Sequence, residues 1–389
     1  MAVAESAILG MLANAGVRGE SRLSTAAPVW EASSAPDSHQ RNGSDLNASS
    51  QGVAGRTGWI VSPWFDVLLI ANVFWVLALL PGYVSQQGTP YVAFWTAYFI
   101  ATPHRWMTIS LAALDPDRRH GRGWLFVLMA LGVAGLIAAT WLISEDLRCL
   151  ALFYALIVGW HFASQHAGIL RMYSRKAGGG RRWLETWPPR MFILYAALRL
   201  MPGFDPLMRY FHLELGLIDW VVLAVPVVML AVECADGPHR RLPKLIYLSS
   251  ICGLYASLIL AAHYRAHVLS FALLAAATVF HSVEYLAVVT HYARRRQKLG
   301  STGLFQKIAR HWTTIFVWFL LSCGLIYSFG DRYLVTVWFT INLWASILHC
   351  GYDGLMWKLR DPATARLLDV EIAPRAQTVN LTALEPRAT

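Results

Sequence analysis

Four short stretches of this chain carry residues that bind metals or move protons, each in apolar surroundings. They are TPHRWMT with His104, GWHFASQHAG with His161, Gln165 and His166, FHSVEYLAVVTH with His281, Glu284, Tyr285 and His291, and LHCGYDGLMWKLR with His349 and Asp353. Imidazole suits iron, copper, zinc and nickel, and a carboxylate beside it favours iron, manganese or zinc over thiolate-seeking ions. The spacing is helical: His161 and Gln165, and His349 and Asp353, are i,i+4 pairs, while His281 and Glu284 are i,i+3. Such pairs share one helix face, and dinuclear sites in helical bundles are commonly built from His and Glu in this way.

These residues predict a metal centre with His104, His161, His166, His281, Glu284, His349 and Asp353 as ligands and with Glu284 and Tyr285 as catalytic groups. The turn between His161 and His166 sends them toward two different ions, so two are expected, with positions left open for dioxygen or water. Gln165, His291 and Asp66 are expected to orient the ligands by hydrogen bonds. Asp66 equally suits capping the first helix. His263 and His267 have i,i+4 spacing but fall at a helix end and its loop, and His39, His120, His212, His239 and His311 fall in the tail, loops or helix ends.

The elements that must position these groups follow from composition. Of 389 residues, 56% are hydrophobic and only 14% charged, against about 25% charged in soluble domains. That excludes an ordinary soluble enzyme, a disordered hub and a collagen-like fibre. Apolar runs near 60–82, 91–114, 123–143, 148–171, 187–202, 217–233, 244–262, 267–292, 312–329 and 333–358 predict an all-α polytopic membrane bundle of about ten transmembrane helices over residues 58–360. Residues 1–57, rich in Ser, Ala, Asn and Gly, read as a disordered cytoplasmic tail, and residues 361–389 as a cytoplasmic C-terminal tail. The five cysteines (Cys149, Cys234, Cys252, Cys323 and Cys350) form no CxxC, so neither a zinc ribbon nor a disulfide framework is encoded.

A net charge of +10 would suggest nucleic acid in a soluble protein. Here the basic residues alternate with the apolar runs, so no nucleic-acid partner is expected. Loops after the even-numbered runs hold 18 Lys and Arg, and those after the odd-numbered runs hold four, Arg148, Arg209, Arg265 and Arg332. Positive charge stays inside, which predicts cytoplasmic termini and even-numbered spans that run inward. The first histidine of each motif then lies about 10–12 residues, or about 15 Å, before the inner end of its helix. One intramembrane histidine often only bonds a neighbouring helix. Four helices delivering one each to a common depth point to a site.

Histidines near the inner face on several parallel-running helices resemble those of the histidine-rich integral-membrane non-heme iron enzymes, the desaturases, hydroxylases and carotenoid-cleaving oxygenases. HFASQH, from His161 to His166, is similar to their first H-x(3–4)-H box. The paired-histidine boxes of desaturases have no counterpart, and TPHRW is only a partial echo of a PHG-type motif. The resemblance implies a non-heme diiron centre that activates dioxygen to hydroxylate, desaturate or cleave a lipid-phase substrate. HSVEY is also similar to the H-P-E-V-Y of heme–copper oxidases, without its proline and with the middle pair reversed.

Iron, as two ions, is therefore the expected cofactor, with zinc or copper as alternatives. Heme b held by two of the histidines is an alternative reading, and an ion- or proton-coupled transporter is another. A metal-dependent lipid hydrolase or isomerase uses the same ligand types. The expected partners are the lipid bilayer, an apolar or amphipathic small-molecule substrate and a separate cytoplasmic electron donor, because no flavin, dinucleotide or iron–sulfur motif is present. Arg greatly outnumbers Lys, which suggests a GC-rich bacterial genome and an inner-membrane location.

Overall fold

The computed structural model describes residues 58–80, 97–119, 121–201, 203–235, 242–299 and 304–370. The expected tail 1–57, most of the tail 361–389 and the start of the second expected span lie outside the described residues. Among the described residues the chain is helical throughout, with no strand.

Helical segments fall at each of the ten expected positions: α1 (Pro63–Leu79), α2 (Thr102–Leu114), α3 (Gly123–Ser144), α4 (Arg148–Lys176), α5 (Arg182–Arg199), α6 (Leu215–Ala235), α7 (Leu242–His263), α8 (His267–Leu299), α9 (Trp312–Tyr333) and α10 (Val335–Met356). Five of them, α3, α6, α7, α8 and α9, are long and apolar enough to cross a membrane, and a sixth span results if α5 is joined with the short helix Phe204–Tyr210. The chain is a helical membrane protein. The other segments are shorter or more polar: α1 and α2 are short, α5 opens with charged residues and prolines, and α4 and α10 carry the polar groups of the motifs.

Burial separates the rim from the interior. Only 11% of the most apolar stretch of α3 and of α6 is buried, against 56% for α7 and 61% for α8. α3 accordingly turns Trp124, Val127 and Leu131 outward, where a bilayer is their natural surrounding. Inside, α10 packs on α2 and α4, and α8 packs on the same two helices. These four motif-bearing helices close a ring. α4 and α5 form the most extensive helix pair, and α7 seals the remaining side against α4 and α8.

Two irregular stretches flank the ring. α1 is broken at Asn72, whose φ of 39° and ψ of 53° are left-handed, a conformation that Asn tolerates. The carbonyl freed at Ala71 accepts a hydrogen bond from Ser250 Oγ at 2.6 Å, and Trp75 Nε1 donates to the same hydroxyl at 3.0 Å. A buried backbone group without water must be paired, so α7 makes the break tolerable. A π-helical turn, Ala97–Ala101, leads into α2, where Pro103 occupies a first-turn position that needs no amide hydrogen.

The first ten residues of the expected C-terminal tail pack on the bundle. Asp361 caps the short helix Pro362–Leu367, and Leu367, Leu368 and Val370 are buried. His291 Nε2 lies 3.3 Å from the Leu368 carbonyl, and Lys176 Nζ donates to Asp369 at 2.8 Å with Arg295 at 3.3 Å. Beneath this strap the buried Arg118 guanidinium lies 4.7 Å from the Tyr292 ring and 5.4 Å from Trp357. Burial raises the Asp369 carboxyl, but the bond and charge of Lys176 together with Arg295 outweigh it and hold it below its ordinary range. A depressed carboxylate stabilises the fold above its unfolded pKa, and the effect is lost as pH falls through the folded value. Asp369→Asn is expected to speed proteolysis after Arg366 at pH 7, with a difference from the parent that shrinks steadily below about pH 4. Limited proteolysis in detergent at both pH values checks it.

Candidate functional site

Each helix of the ring contributes a polar pair one turn apart on its inward face: His104 and Thr108, His161 and Gln165, His281 and Tyr285, His349 and Asp353. An i,i+4 pair stacks along one face, so four such pairs superpose two polar levels inside an apolar ring. The histidines form one level. His104 and His349 have ring centroids 4.5 Å apart, His161 and His349 4.6 Å, His161 and His281 4.9 Å, and His104 and His281 5.2 Å. All four are buried.

Not every ring nitrogen is satisfied by protein. Both nitrogens of His281 and Nε2 of His161 are buried and find no hydrogen-bond partner among the described residues. Leaving a buried polar atom unpaired costs about 1–3 kcal/mol, and His281 and His161 can each offer one nitrogen to an ion. Phe162 stacks on the His281 ring at 4.0 Å and 17°, which holds those nitrogens in place.

The remaining pair shows how lone pairs converge. His104 Nε2 and His349 Nε2 are 3.1 Å apart. The outer nitrogen of each faces a hydroxyl: His104 Nδ1 lies 3.0 Å from Ser282 Oγ, and His349 Nδ1 lies 2.7 Å from Thr108 Oγ1. Thr108 has one hydrogen, with Asp353 Oδ1 at 3.1 Å and the Tyr285 hydroxyl at 2.7 Å both in reach of it. When either takes that hydrogen, Thr108 accepts from His349 Nδ1–H, and His349 Nε2 is then a bare lone pair. With metal–nitrogen bonds of about 2.0–2.1 Å, two imidazole ligands of one ion sit about 2.9–3.4 Å apart, and the observed separation falls in that range.

Two overlapping sets have ligand atoms within 4.8 Å of one another, His104 with His281 and His349, and His161 with His349 and Asp353. They share His349. The Asp353 carboxylate lies 3.8 Å from His161 Nε2 and 3.7 Å from His349 Nδ1, and it accepts from Thr108. It is close enough either to orient His349 through Thr108 or to join the ligand set. The Tyr285 hydroxyl lies 2.7 Å from Thr108 Oγ1, and its ring is 5.6 Å from His349.

His166 and Glu284 occupy a second, adjoining cluster. His166 Nδ1 lies 3.0 Å from the Tyr247 hydroxyl and 3.2 Å from Glu284, and its Nε2 lies 3.2 Å from the Tyr255 hydroxyl. Tyr247 donates a short hydrogen bond to the other Glu284 oxygen. Gln165 joins the two clusters, since its amide donates to the His281 carbonyl at 2.9 Å and to Glu284 at 2.8 Å. Asp66 is at neither: it accepts from the backbone amides of Ile60 at 2.6 Å, Val61 at 3.0 Å and Ser62 at 3.3 Å, and from the Tyr173 hydroxyl at 3.2 Å. It anchors the entry to α1. His291 holds the C-terminal strap.

Sequence reasoning passed over Thr108, Ser282, Tyr247 and Tyr255. Thr108 was detectable as the i+4 neighbour of His104, in the register shared by the other three helices. Ser282 and the two tyrosines carry no such signal, because α7 has no histidine inside the bundle to draw attention to its inward face. No protein-family model, curated protein or solved structure matches the chain.

The second cluster makes a direct test possible. Tyr247→Phe removes a donor from a fully buried carboxylate, which is expected to cost about 1–3 kcal/mol. Thermal unfolding in detergent measures it. A Tyr247→Phe protein as stable as its parent would mean that Glu284 is not held by this hydroxyl.

Proposed function

We propose that this chain is an integral-membrane metalloprotein in which His104, His161, His281 and His349 hold one redox-active ion, iron in the first place, and that it oxidises a lipid-phase substrate with dioxygen. The observation that carries the reading is the set of unpartnered nitrogens on His281 and His161, in the cluster where His104 and His349 bring two nitrogens to 3.1 Å. Neutral imidazoles supply the lone pairs that iron, copper or zinc takes, and the ion would supply redox chemistry in a site walled from water by apolar helices.

The two ligand sets share His349, whose Nδ1 is taken up by Thr108, so they are alternative placements of a single ion among the four rings. A second, as the diiron resemblance implies, would draw on His166 and Glu284, and these already have Tyr247, Tyr255 and Gln165 as partners. Thr108 and Asp353 would fix the tautomer and direction of His349, as carboxylates do behind metal-bound imidazoles. Tyr285, beside Thr108, would hold or give a proton at its hydroxyl. The substrate would enter from the bilayer, and electrons would come from a separate donor at the basic face. The alternation of charged loops supports cytoplasmic termini, and the excess of Arg over Lys supports a bacterial inner membrane. Heme is less well supported, since rings packed edge-to-face at 4.5–5.2 Å leave no plane for a macrocycle among them.

Metal analysis and an optical spectrum of the detergent-purified protein test this reading. The expected result is about one iron per chain with no Soret band, lost in His281→Ala and kept in Glu284→Gln. Thr108→Val is expected to weaken metal binding about 10–100-fold. Stoichiometric metal retained in His281→Ala, or a protein purified without metal that takes up none, would sink the assignment.

A further inference from the structure

A line of aromatic rings leaves the histidine cluster toward the basic end of α8. The Tyr285 ring lies 5.6 Å from His349 and 6.3 Å from Trp357, and Trp357 lies 5.6 Å from Tyr292. Tyr285 and Tyr292 are seven residues apart on α8, which is two turns along one face, or about 10 Å. The indole of Trp357, at the end of α10, stands between them. Beyond Tyr292 the next ring is Phe305 at 5.8 Å, and a phenyl ring is far harder to oxidise than a phenol or an indole. The oxidisable rings therefore begin beside His349 and end at Tyr292.

Both phenols have a place to put a proton. A phenol that loses an electron becomes a strong acid, so it is oxidised readily only beside an acceptor. The Tyr285 hydroxyl lies 2.7 Å from Thr108 Oγ1, which in turn lies 3.1 Å from Asp353 Oδ1. Tyr292 donates a short hydrogen bond to the buried Asp115, and Arg296 links that carboxylate to the exposed Asp117. Trp357 differs. Its Nε1 is buried and finds no acceptor among the described residues, so an oxidised Trp357 keeps its proton and is a cation. The Arg118 guanidinium, 5.4 Å from that ring, repels such a charge. A missing electron can cross Trp357 but does not rest there.

We propose that Tyr285, Trp357 and Tyr292 form a one-electron relay that carries oxidising equivalents from the histidine site to the Asp115 end of the bundle. The inference rests on the redox reading of that site and adds a route by which a dioxygen-derived oxidant that meets no substrate is quenched. In the first step the oxidant gains one electron from Tyr285, whose proton passes to Thr108 as Thr108 gives its own to Asp353. Tyr285 then takes an electron from Trp357 and recovers its proton. Trp357 takes an electron from Tyr292, whose proton goes to Asp115. A one-electron reductant at the basic face, the class to which the separate donor belongs, returns an electron to Tyr292, and Asp115 returns the proton. One electron crosses, and the three side chains end as they began.

The test uses the full chain as purified and is repeated after treatment with a chelator, so that its result does not depend on an ion. A ruthenium tris-bipyridine group is attached at Arg360→Cys, three residues from Trp357 and exposed, with the exposed Cys149 and Cys234 replaced by serine. A light flash with persulfate gives ruthenium(III), which withdraws one electron from the protein, and transient absorbance distinguishes tyrosyl from tryptophanyl radicals. The parent is expected to show tyrosyl radical and little tryptophanyl radical. Tyr285→Phe combined with Tyr292→Phe keeps both rings, and it is expected to lower the tyrosyl yield at least five-fold and leave tryptophanyl radical in its place. Trp357→Phe is expected to slow the loss of ruthenium(III) at least ten-fold, and if that variant does not fold, the tyrosine pair decides. Tyr247→Phe, off the line, is the control. A parent without tyrosyl radical, or an undiminished yield in the double variant, overturns the relay. Iron uptake is read separately by metal analysis, so failure of the relay and failure of the site reading are distinguishable.

Discussion

A polar ring nitrogen buried among apolar helices must be matched by something, and the centre of this bundle is organised around that requirement. Water hydrates an imidazole at a soluble surface. Here the imidazoles meet other side chains instead, and four helices place four of them within touching distance. Serine and threonine hydroxyls take up the outer nitrogens of His104 and His349, whose inner nitrogens meet each other, an aromatic ring clamps His281, and the nitrogens of His281 and Nε2 of His161 have no hydrogen-bond partner among the described residues. Helix register, the closed ring of α2, α4, α8 and α10, and the seal provided by α7 all follow from the need to hold this group dry and in one geometry.

Much of this arrangement was legible in the sequence. Apolar length located the helices, because a bilayer core demands long uninterrupted hydrophobic runs. The polar residues that interrupted those runs stood out for the same reason. Their i,i+4 spacing announced a common face, and the positions of His104, His161, His281 and His349 along their helices announced a common level. Asp66 shows where such reading divides: both a capping role and a site role suited its position, and three backbone amides at its carboxylate make it an anchor of α1.

What was not legible depends on rotation about the helix axis and on neighbours distant in the chain. His166 is as apolar in its setting as His161, but five residues of helix turn it toward α7, where two tyrosines meet it. Glu284 follows it, although its i,i+3 distance from His281 suggested a shared ion. Spacing alone cannot separate one cluster from two when the partners lie on a helix that carries no histidine or carboxylate on its inward face. The breaks in α1 and the packing of residues 361–370 depend likewise on Ser250, Lys176 and Arg295, residues with no local relation to the segments they hold.

The amide of Gln165 has a further consequence. Its nitrogen is shared between the His281 carbonyl and the Glu284 carboxylate, and its oxygen has no hydrogen-bond partner among the described residues. A flipped amide would set oxygen against two acceptors, so the side chain has one admissible orientation. It then acts as a rigid tie between the backbone that carries His281 and the carboxylate held by Tyr247. Two equilibria joined by one link are thermodynamically reciprocal: the first biases the second by the same coupling free energy with which the second biases the first. The two polar clusters, separate in composition and in partners, would respond to perturbation as one cooperative unit.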